Sequence, residues 1–316
     1  MNEVRSISVV VPMYNEEKVV EECYKRLTKV LISLKIEYEI IFVNDGSRDN
    51  TEIILRSIAA TDTRARVINF SRNFGHQTAV TAGICNAEGD VVVLIDADLQ
   101  DPPELIEEMV KIKQQGYDVV YGKRKHREGE TLFKLITAKY FYRFINYMSD
   151  VDIPKDTGDF RLMDRKVVDI FKTMPERNRF IRGMVSWIGF KQTAIEYERE
   201  KRFAGKTKYS LSKMINFAYD GIISFSNKPL KFVSLMGLAT VFISIVLLIY
   251  SIVIKLTTSH ATAGWASIMV TITFLGGMQL FAMGIIGEYI ARIYDESKNR
   301  PMYVIKEKLN FKDEDE

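Results

Sequence analysis

Short apolar runs alternate along the first part of the chain with longer stretches of helical period. Residues 7–11, 38–43, 66–70, 91–95 and the segment around 118–121 are brief, rich in Val and Ile, and bounded by polar turns. That is the pattern of strands buried on both faces. Between them apolar residues recur at helical spacing. Val19, Val20, Leu27, Val30 and Leu31 follow the first run, and a helix through Leu55 follows the second. A small-residue helix ending near Asn86 follows the third, and a helix from Pro103 follows the fourth, with Glu104, Glu107 and Glu108 loading its first turn. Asp45-Gly46 gives a tight turn, and Ser47 or Asp49 can cap the helix after it. Strand and helix in alternation predict an α/β domain with a mostly parallel sheet.

Beyond the fifth run the pattern changes. Residues 131–148 place Leu132, Leu135, Ile136, Tyr140, Phe144 and Tyr147 at helical spacing among Lys134, Lys139 and Arg143. Such a helix suits a membrane interface and equally suits packing on the sheet. Residues 208–225 form a second apolar-faced stretch, broken by Asn227-Lys228-Pro229. From Phe232 to Ile254 no residue is charged, and from Leu256 to Gly287 the only ionisable side chain is His260. Both stretches are long enough to cross a bilayer as helices. Arg292, Lys298, Arg300, Lys306 and Lys308 follow them, so the positive-inside rule places this flank in the cytoplasm. With two spans the N-terminal domain lies there too, giving a multi-pass protein of the cell membrane with both termini cytoplasmic. Gly276-Gly277 and Gly284 permit close helix approach and hence a homo-oligomer.

Composition narrows the classes. At 316 residues the chain accommodates one α/β domain plus additions, and a formal charge of +3 gives no argument for nucleic acid. Cys23 and Cys85 form no CxxC pair, and three scattered histidines make no histidine metal site. No signal peptide is visible, because the first apolar run stops at Pro12.

Polar loops follow three of the strands: Tyr14-Asn15-Glu16, Asn44-Asp45-Gly46-Ser47, and Asp96-Ala97-Asp98. In a parallel sheet such strand ends share one edge, where open α/β sheets bind ligands. Two carboxylates one residue apart suit a hard divalent cation, Mg²⁺ or Mn²⁺, that takes up phosphate oxygens. A solvated acidic turn capping the next helix is the alternative. Neither a P-loop nor a G-x-G-x-x-G follows the first strand, so phosphates fall to metal, Arg or Lys.

The stretches Val11-Pro12-Met13-Tyr14-Asn15-Glu16, Asn44-Asp45-Gly46-Ser47 and Asp96-Ala97-Asp98-Leu99-Gln100-Asp101-Pro102-Pro103-Glu104 together resemble glycosyltransferase family 2, with its GT-A fold. Within it the likeness is to polyprenyl-phosphate glycosyltransferases, the bactoprenol glucosyltransferases and dolichol-phosphate mannose synthases among them. It continues through Asp156-Thr157-Gly158-Asp159-Phe160-Arg161, Arg202-Phe203-Ala204-Gly205-Lys206-Thr207-Lys208-Tyr209 and Gly287-Glu288-Tyr289-Ile290-Ala291-Arg292. The resemblance implies a nucleotide-sugar-binding half over 1–130 and an acceptor-side region over 131–229. Two membrane helices over 230–290 and a cytoplasmic tail over 291–316 complete that division.

It also implies roles. Tyr14 and Asp45 would hold the base, with Pro12 and Glu16 shaping that pocket. Asp98 and Gln100 would bind the metal, Asp96 facing the ribose, the metal or its water shell. Arg202, helped by Lys206 or Lys208, would neutralise the diphosphate. Asp159 is the candidate base, with Asp156 as fallback and Arg161 as a phosphate-binding cation; a turn with a helix cap is the alternative there. A phosphate monoester acceptor is mostly a dianion at neutral pH, since its second pKa is about 6. Asp159 is therefore expected mainly to orient the acceptor or Arg161.

The implied reaction is inverting transfer of a hexose, first of all glucose from UDP-glucose, to undecaprenyl phosphate for cell-envelope glycosylation. UDP-N-acetylglucosamine is the next donor. A processive polysaccharide synthase would carry Gln-x-x-Arg-Trp, which Trp187 and Trp265 do not provide. A non-catalytic nucleotide-sugar-binding scaffold would have no need of the acidic loop.

Overall fold

The computed structural model describes residues 3–125, 157–198, 226–257 and 264–311. Along the chain the described elements are β1 (Ser6–Met13), α1 (Val20–Ser33), β2 (Glu37–Asn44), α2 (Thr51–Thr61), β3 (Ala65–Phe70) and α3 (His76–Cys85). There follow β4 (Val91–Leu94), α4 (Leu105–Gln114), β5 (Val119–Arg124), β6 (Thr157–Asp164), α5 (Arg165–Thr173), α6 (Ile181–Ile188) and β7 (Gln192–Tyr197). Two long helices, α7 (Lys228–Thr257) and α8 (Trp265–Ser297), precede a final strand, β8 (Ile305–Leu309). Each strand anticipated from the apolar runs is present, its ends shifted by a few residues. The amphipathic stretches at 131–148 and 208–225 lie outside the described residues.

One sheet joins all eight strands in the order β7-β5-β6-β4-β1-β2-β3-β8. Its centre is parallel, with Val9 of β1 opposite Ile40 of β2 and Val93 of β4. The period-2 alternation buries both faces, as a parallel sheet between helix layers requires. Ile7, Val9 and Val11 pack with Leu27, Leu31, Leu55, Ile106 and Met109 from α1, α2 and α4. Val10, Ile41 and Val43 pack with Val80, Ile84, Val167, Phe171 and Met184 from α3, α5 and α6. Helix α3 sits especially close to β1: a Cβ on Gly83 would stand 2.2 Å from Val10 Cγ1.

Because β1 lies between β2 and β4, the strand order reverses at the β1/β4 boundary, the place where doubly wound sheets open a ligand crevice. Pro12 is tolerated in this central strand for the same reason. Val10, two residues earlier and directed to the same side, is the last residue of β1 paired with β4, so the N–H that Pro12 lacks would have met no ladder partner. Strand β6 is inserted between β4 and β5 and runs antiparallel to both. It therefore begins, at Thr157, on the edge where β4 ends.

Helices α7 and α8 contain segments, Lys228–Leu247 and Val270–Ser297, long and apolar enough to cross a membrane. They touch through Thr240 Oγ1 and Met278 Sδ, 3.0 Å apart, and Tyr289 Oη donates to the Ser226 carbonyl at 2.7 Å. Gly276, Gly277 and Gly284 have open space beside them, so they do not make the contact between α7 and α8. Beyond α8 the chain turns back and β8 pairs antiparallel with β3, covering that sheet edge. The stretch expected as a tail is thus partly a strand of the main sheet.

Candidate active site

At the ends of β1 and β2 the backbone does most of the holding. Asn15 adopts φ +53 and donates its N–H to Ser47 Oγ at 3.0 Å, while its Oδ1 accepts from Arg48 N at 2.8 Å. Glu16 N reaches Thr51 Oγ1 at 2.9 Å, and Glu17 N reaches Asp49 Oδ2 at 3.2 Å. Neither Ser47 nor Asp49 occupies the N-cap, which is Asn50 without a side-chain cap bond; Asp49, one residue earlier, accepts from Thr51 N at 3.1 Å. Pro12 and Asp45 are buried, whereas Tyr14 and Glu16 are half-buried at the crevice. Both oxygens of Asp45 accept from the chain after β3, from Phe74 N at 2.6 Å and Gly75 N at 2.9 Å. Burial raises the Asp45 carboxyl above its ordinary value, against the pull of those two N–H groups. Gly46 beside it has φ +63, and a Cβ there would lie 2.4 Å from the Arg72 carbonyl carbon. Only glycine fits this turn.

The end of β4 carries Asp96, Asp98 and Gln100, all half-buried. Leu99 between them takes φ +57, a left-handed conformation rare for a branched side chain, and is buried. Asp98 Oδ1 accepts from Gln100 N at 3.1 Å, closing the turn. Beneath it Asp101 is buried, receives a hydrogen bond from Tyr197 Oη and lies 3.5 Å from Arg124 Nη2. Tyr197 in turn accepts from Arg124 Nε at 3.3 Å, so β5 and β7 fix the floor of this loop.

Across from Asp96 stands Asp159 on β6. Its Oδ1 accepts from Arg182 Nε of α6 at 2.6 Å, and its Oδ2 lies 2.9 Å from His76 Nε2 of α3. Gln77 Nε2 donates to Asp159 Oδ2 at 3.4 Å and its Oε1 accepts from Ile181 N at 3.0 Å, pinning α3 to the first turn of α6. Burial works to raise the Asp159 carboxyl, but the Arg182 charge and the His76 hydrogen bond overcome it and hold it well below the ordinary range. Burial works against charge on His76, yet the hydrogen bond to Asp159 and the charge of Asp96 raise it to about 9. Asp96 is raised too, to about 6, by burial first, with His76 opposing and Asp159, Asp101 and Asp98 adding to the rise.

The arginine paired with Asp159 is Arg182, and not Arg161 as expected. Arg161 is buried with Nε donating to the Asp159 carbonyl at 3.2 Å and Nη2 to the Gly158 carbonyl at 3.3 Å. Burial pushes its guanidinium down to about 10. It holds the backbone of its own strand. Asp156, Arg202, Lys206 and Lys208 lie outside the described residues.

Among the described residues no three His, Cys, Asp or Glu side chains close into a metal cage. Asp96, Asp98 and Gln100 do fit a divalent cation that completes its shell with water and substrate phosphate. Asp98, Asp101 and Asp159 add their charge to the burial that raises Asp96, a charge concentration that such a cation relieves.

His76, Gln77, Arg182, Asp101, Tyr197 and Arg124 escaped the sequence reading as site residues. His76 had a signal: Ser71-Arg72-Asn73-Phe74-Gly75-His76 follows a fourth parallel strand to the same edge. Arg182 had none, because its place depends on how α6 packs.

Residues 8–171 match the model described as Glycosyl transferase family 2, and residues 228–293 match that of the GtrB C-terminal hairpin. The glycosyltransferase YkcC of Bacillus subtilis is 53% identical over 94% of this chain and 92% of its own length. The bactoprenol glucosyl transferase of Shigella phage SfV is 43% identical over 95% of this chain and 98% of its own. A prophage bactoprenol glucosyl transferase homolog of Escherichia coli is 42% identical over the same shares. Among solved structures, glucosyl-3-phosphoglycerate synthase of Mycobacterium tuberculosis gives a TM-score of 0.48 at 20% identity, covering 69% of this chain and 78% of that one.

Proposed function

The chain belongs to glycosyl transferase family 2, and we propose that it transfers glucose from UDP-glucose to undecaprenyl phosphate at a membrane surface. The observation that carries this reading is the juxtaposition, on one sheet edge, of the acidic β4 loop with the cation-bound Asp159. The relatives named bactoprenol glucosyl transferases, similar over nearly their whole length, support the sugar and the lipid acceptor. The hairpin helices support a membrane-bound substrate, and the basic flank after them supports a cytoplasmic side for the catalytic domain and both termini. Uridine follows from the family resemblance.

In this reading Tyr14 and Asp45 hold the base between the loops that follow β1 and β2, with Pro12 and Glu16 shaping that pocket. Asp98, Gln100 and Asp96 hold Mg²⁺ or Mn²⁺, which when bound supplies positive charge against the donor diphosphate. Arg202, with Lys206 or Lys208, adds cationic charge to the same diphosphate. An oxygen of the acceptor phosphate attacks C1 from the face opposite the leaving group. The C1–oxygen bond to the diphosphate breaks, and its electron pair leaves with UDP. The configuration inverts. The acceptor dianion gives up one negative charge as UDP gains one, so no proton has to be removed. That agrees with Asp159, whose two carboxyl oxygens are already engaged by Arg182 and His76.

The test uses purified protein in detergent, undecaprenyl phosphate, Mg²⁺ or Mn²⁺, and a panel of radiolabelled nucleotide-sugars. Metal-dependent movement of glucose label into the lipid phase, abolished by Asp98→Asn, is the expected result. Label moving only from UDP-N-acetylglucosamine would replace the sugar. Donors that bind without transfer would point to a scaffold.

A further inference from the structure

A phosphate monoester arriving at this site needs cations of its own, separate from the charge that neutralises the donor diphosphate. We propose that Arg182 and His76 form the cradle for the acceptor phosphate, and that Asp159 is the positioning residue that holds both. The inference rests on the polyprenyl-phosphate reading above and adds to it the residues that receive the acceptor.

The layering at Asp159 carries the argument. The Asp159 side chain is 6% exposed, while Arg182 above it is 23% exposed and His76 is 41% exposed. An anion entering here meets the guanidinium and the imidazole before it meets the carboxylate. Arg182 is also set in direction. Nε is fixed on Asp159 at 2.6 Å and Nη1 donates to the Thr157 carbonyl at 2.8 Å, so two anchors on β6 orient the planar group. Its own helix is registered by Gln77, which accepts from Ile181 N and donates to Asp159. Elements distant in sequence thus converge on one carboxylate: β6, the start of α3 and the start of α6.

The cradle stands beside the expected reacting centre. His76 Nε2 lies 3.8 Å from Asp96 Oδ1 on the acidic loop, so a phosphate held by His76 and Arg182 sits next to the donor's diphosphate end. That is where a nucleophile for direct displacement is required. Arg161 does not compete for the role, because it is 4% exposed and bound to the carbonyls of its own strand.

Another assignment for the same atoms is a structural pin between α6 and β6, and a third is a contact to the donor diphosphate. Steady-state kinetics on the full chain in detergent separate them, with undecaprenyl phosphate and UDP-glucose varied independently and UDP affinity measured by calorimetry with Mg²⁺. Arg182→Gln is expected to raise KM for undecaprenyl phosphate by about tenfold or more, with UDP affinity changed less than about twofold. Asp159→Asn should raise the same KM, and Arg182→Lys should recover part of the loss, since it keeps charge without the fork. His76→Gln, at a half-exposed position where the amide can still reach Asp159, is expected to raise it by about threefold.

An unchanged acceptor KM in Arg182→Gln and His76→Gln overturns the cradle. So does a parallel loss of UDP affinity, which would move the pair to the donor, or a fall in kcat and thermal midpoint with both KM values intact, which would make it a pin. Should Arg182→Gln fail to fold, His76→Gln decides alone. A wild-type protein that labels no undecaprenyl phosphate from any donor would instead remove the functional reading, before the variants are compared.

Discussion

Around β1 and β2 the candidate base pocket is fixed mainly by backbone N–H groups: those of Asn15, Arg48, Phe74 and Gly75 each end on a side chain of a neighbouring loop. Around Asp159 the side chains of His76, Gln77 and Arg182 do the corresponding work, brought in from α3 and α6. The loops around β1 and β2 keep their shape when any side chain other than the accepting Asn15, Asp45 or Ser47 changes. A side-chain cluster around a buried carboxylate does not, because removing one partner leaves a charge without compensation. In the proposed assignment the donor side is the more rigidly held and the acceptor side the more easily tuned.

The comparison can be broken at its strongest point by two substitutions that each remove one negative charge. Asp98→Asn takes a ligand from the metal loop and is expected to lower transfer by about 10³-fold at saturating substrates. Asp159→Asn is expected to cost less in kcat, about tenfold, because the dianionic acceptor needs no base. A greater kcat loss from Asp159→Asn than from Asp98→Asn would make Asp159 the base and reverse the assignment. Next in size is Gly46→Ala. The added Cβ would collide with the backbone of Arg72 at a φ that alanine avoids, so about 3 kcal/mol of stability should be lost in urea titration. UDP affinity should fall with it; if it holds, the turn is not part of the base pocket.

What the sequence shows and hides follows the same division. The strands β1 to β4 and the loops after β1, β2 and β4 are legible because each is local: a β-branched run, then Pro12, Asp45-Gly46 or Asp96-x-Asp98. The parallel class follows from alternation, and the two apolar helices from length. By contrast, no local signal says that β6 enters between β4 and β5, or that it runs antiparallel and brings Asp159 opposite Asp96. Periodicity identifies a helix at α6 without saying which face meets the sheet, so Arg182 stays invisible. Arg161 is misjudged for the converse reason. A cation two residues from an acid on a strand shares its face and looks functional, but here the longer side chain turns back onto the carbonyls of its own strand. The last strand was hidden by its charge, since Ile305-Lys306-Glu307-Lys308-Leu309 alternates as an edge strand does yet is mostly polar.

Smaller in effect is Leu99→Gly, which sharpens the description of the metal loop as a backbone device. Glycine removes the cost of a left-handed leucine, about 1–2 kcal/mol. It also removes a buried leucyl side chain, a loss of roughly 3–5 kcal/mol in comparable cores. Burial wins, and a net destabilisation of about 2 kcal/mol is expected, read as a lower urea midpoint at unchanged slope. Stabilisation instead would mean that strain, and not packing, dominates the loop.

The last test concerns β8, where side-chain contacts again do the holding but on an exposed surface. Lys306 Nζ lies 3.0 Å from Glu52 Oε1, Arg56 bridges Glu52 and Glu307, and Asn310 Nδ2 donates to the carbonyls of Ala59 at 2.7 Å and Ala65 at 2.9 Å. Hydrogen bonds from Arg56 and then Lys306 hold the Glu52 carboxyl below its ordinary 4.5, burial opposing. A carboxyl lowered in the folded state stabilises it above the unfolded pKa and ceases to do so as pH falls through the folded value. Hydrogen exchange of the β8 amides, corrected for intrinsic rate, should therefore lose protection as the pH falls below the ordinary 4.5 of a glutamate. The β1 and β2 amides, held by a buried parallel ladder, should keep theirs over that range. Exposed pairs of this kind are each worth about 1 kcal/mol or less, so the change should be modest and further reduced by salt. Protection of β8 that ignores both pH and salt would assign the strand's attachment to Asn310 and to the stack of Tyr303 on Phe70, with ring centroids 5.0 Å apart. The return of the chain from α8 to the sheet would then be fixed by neutral contacts, and the ion pairs around Glu52 would be surface decoration.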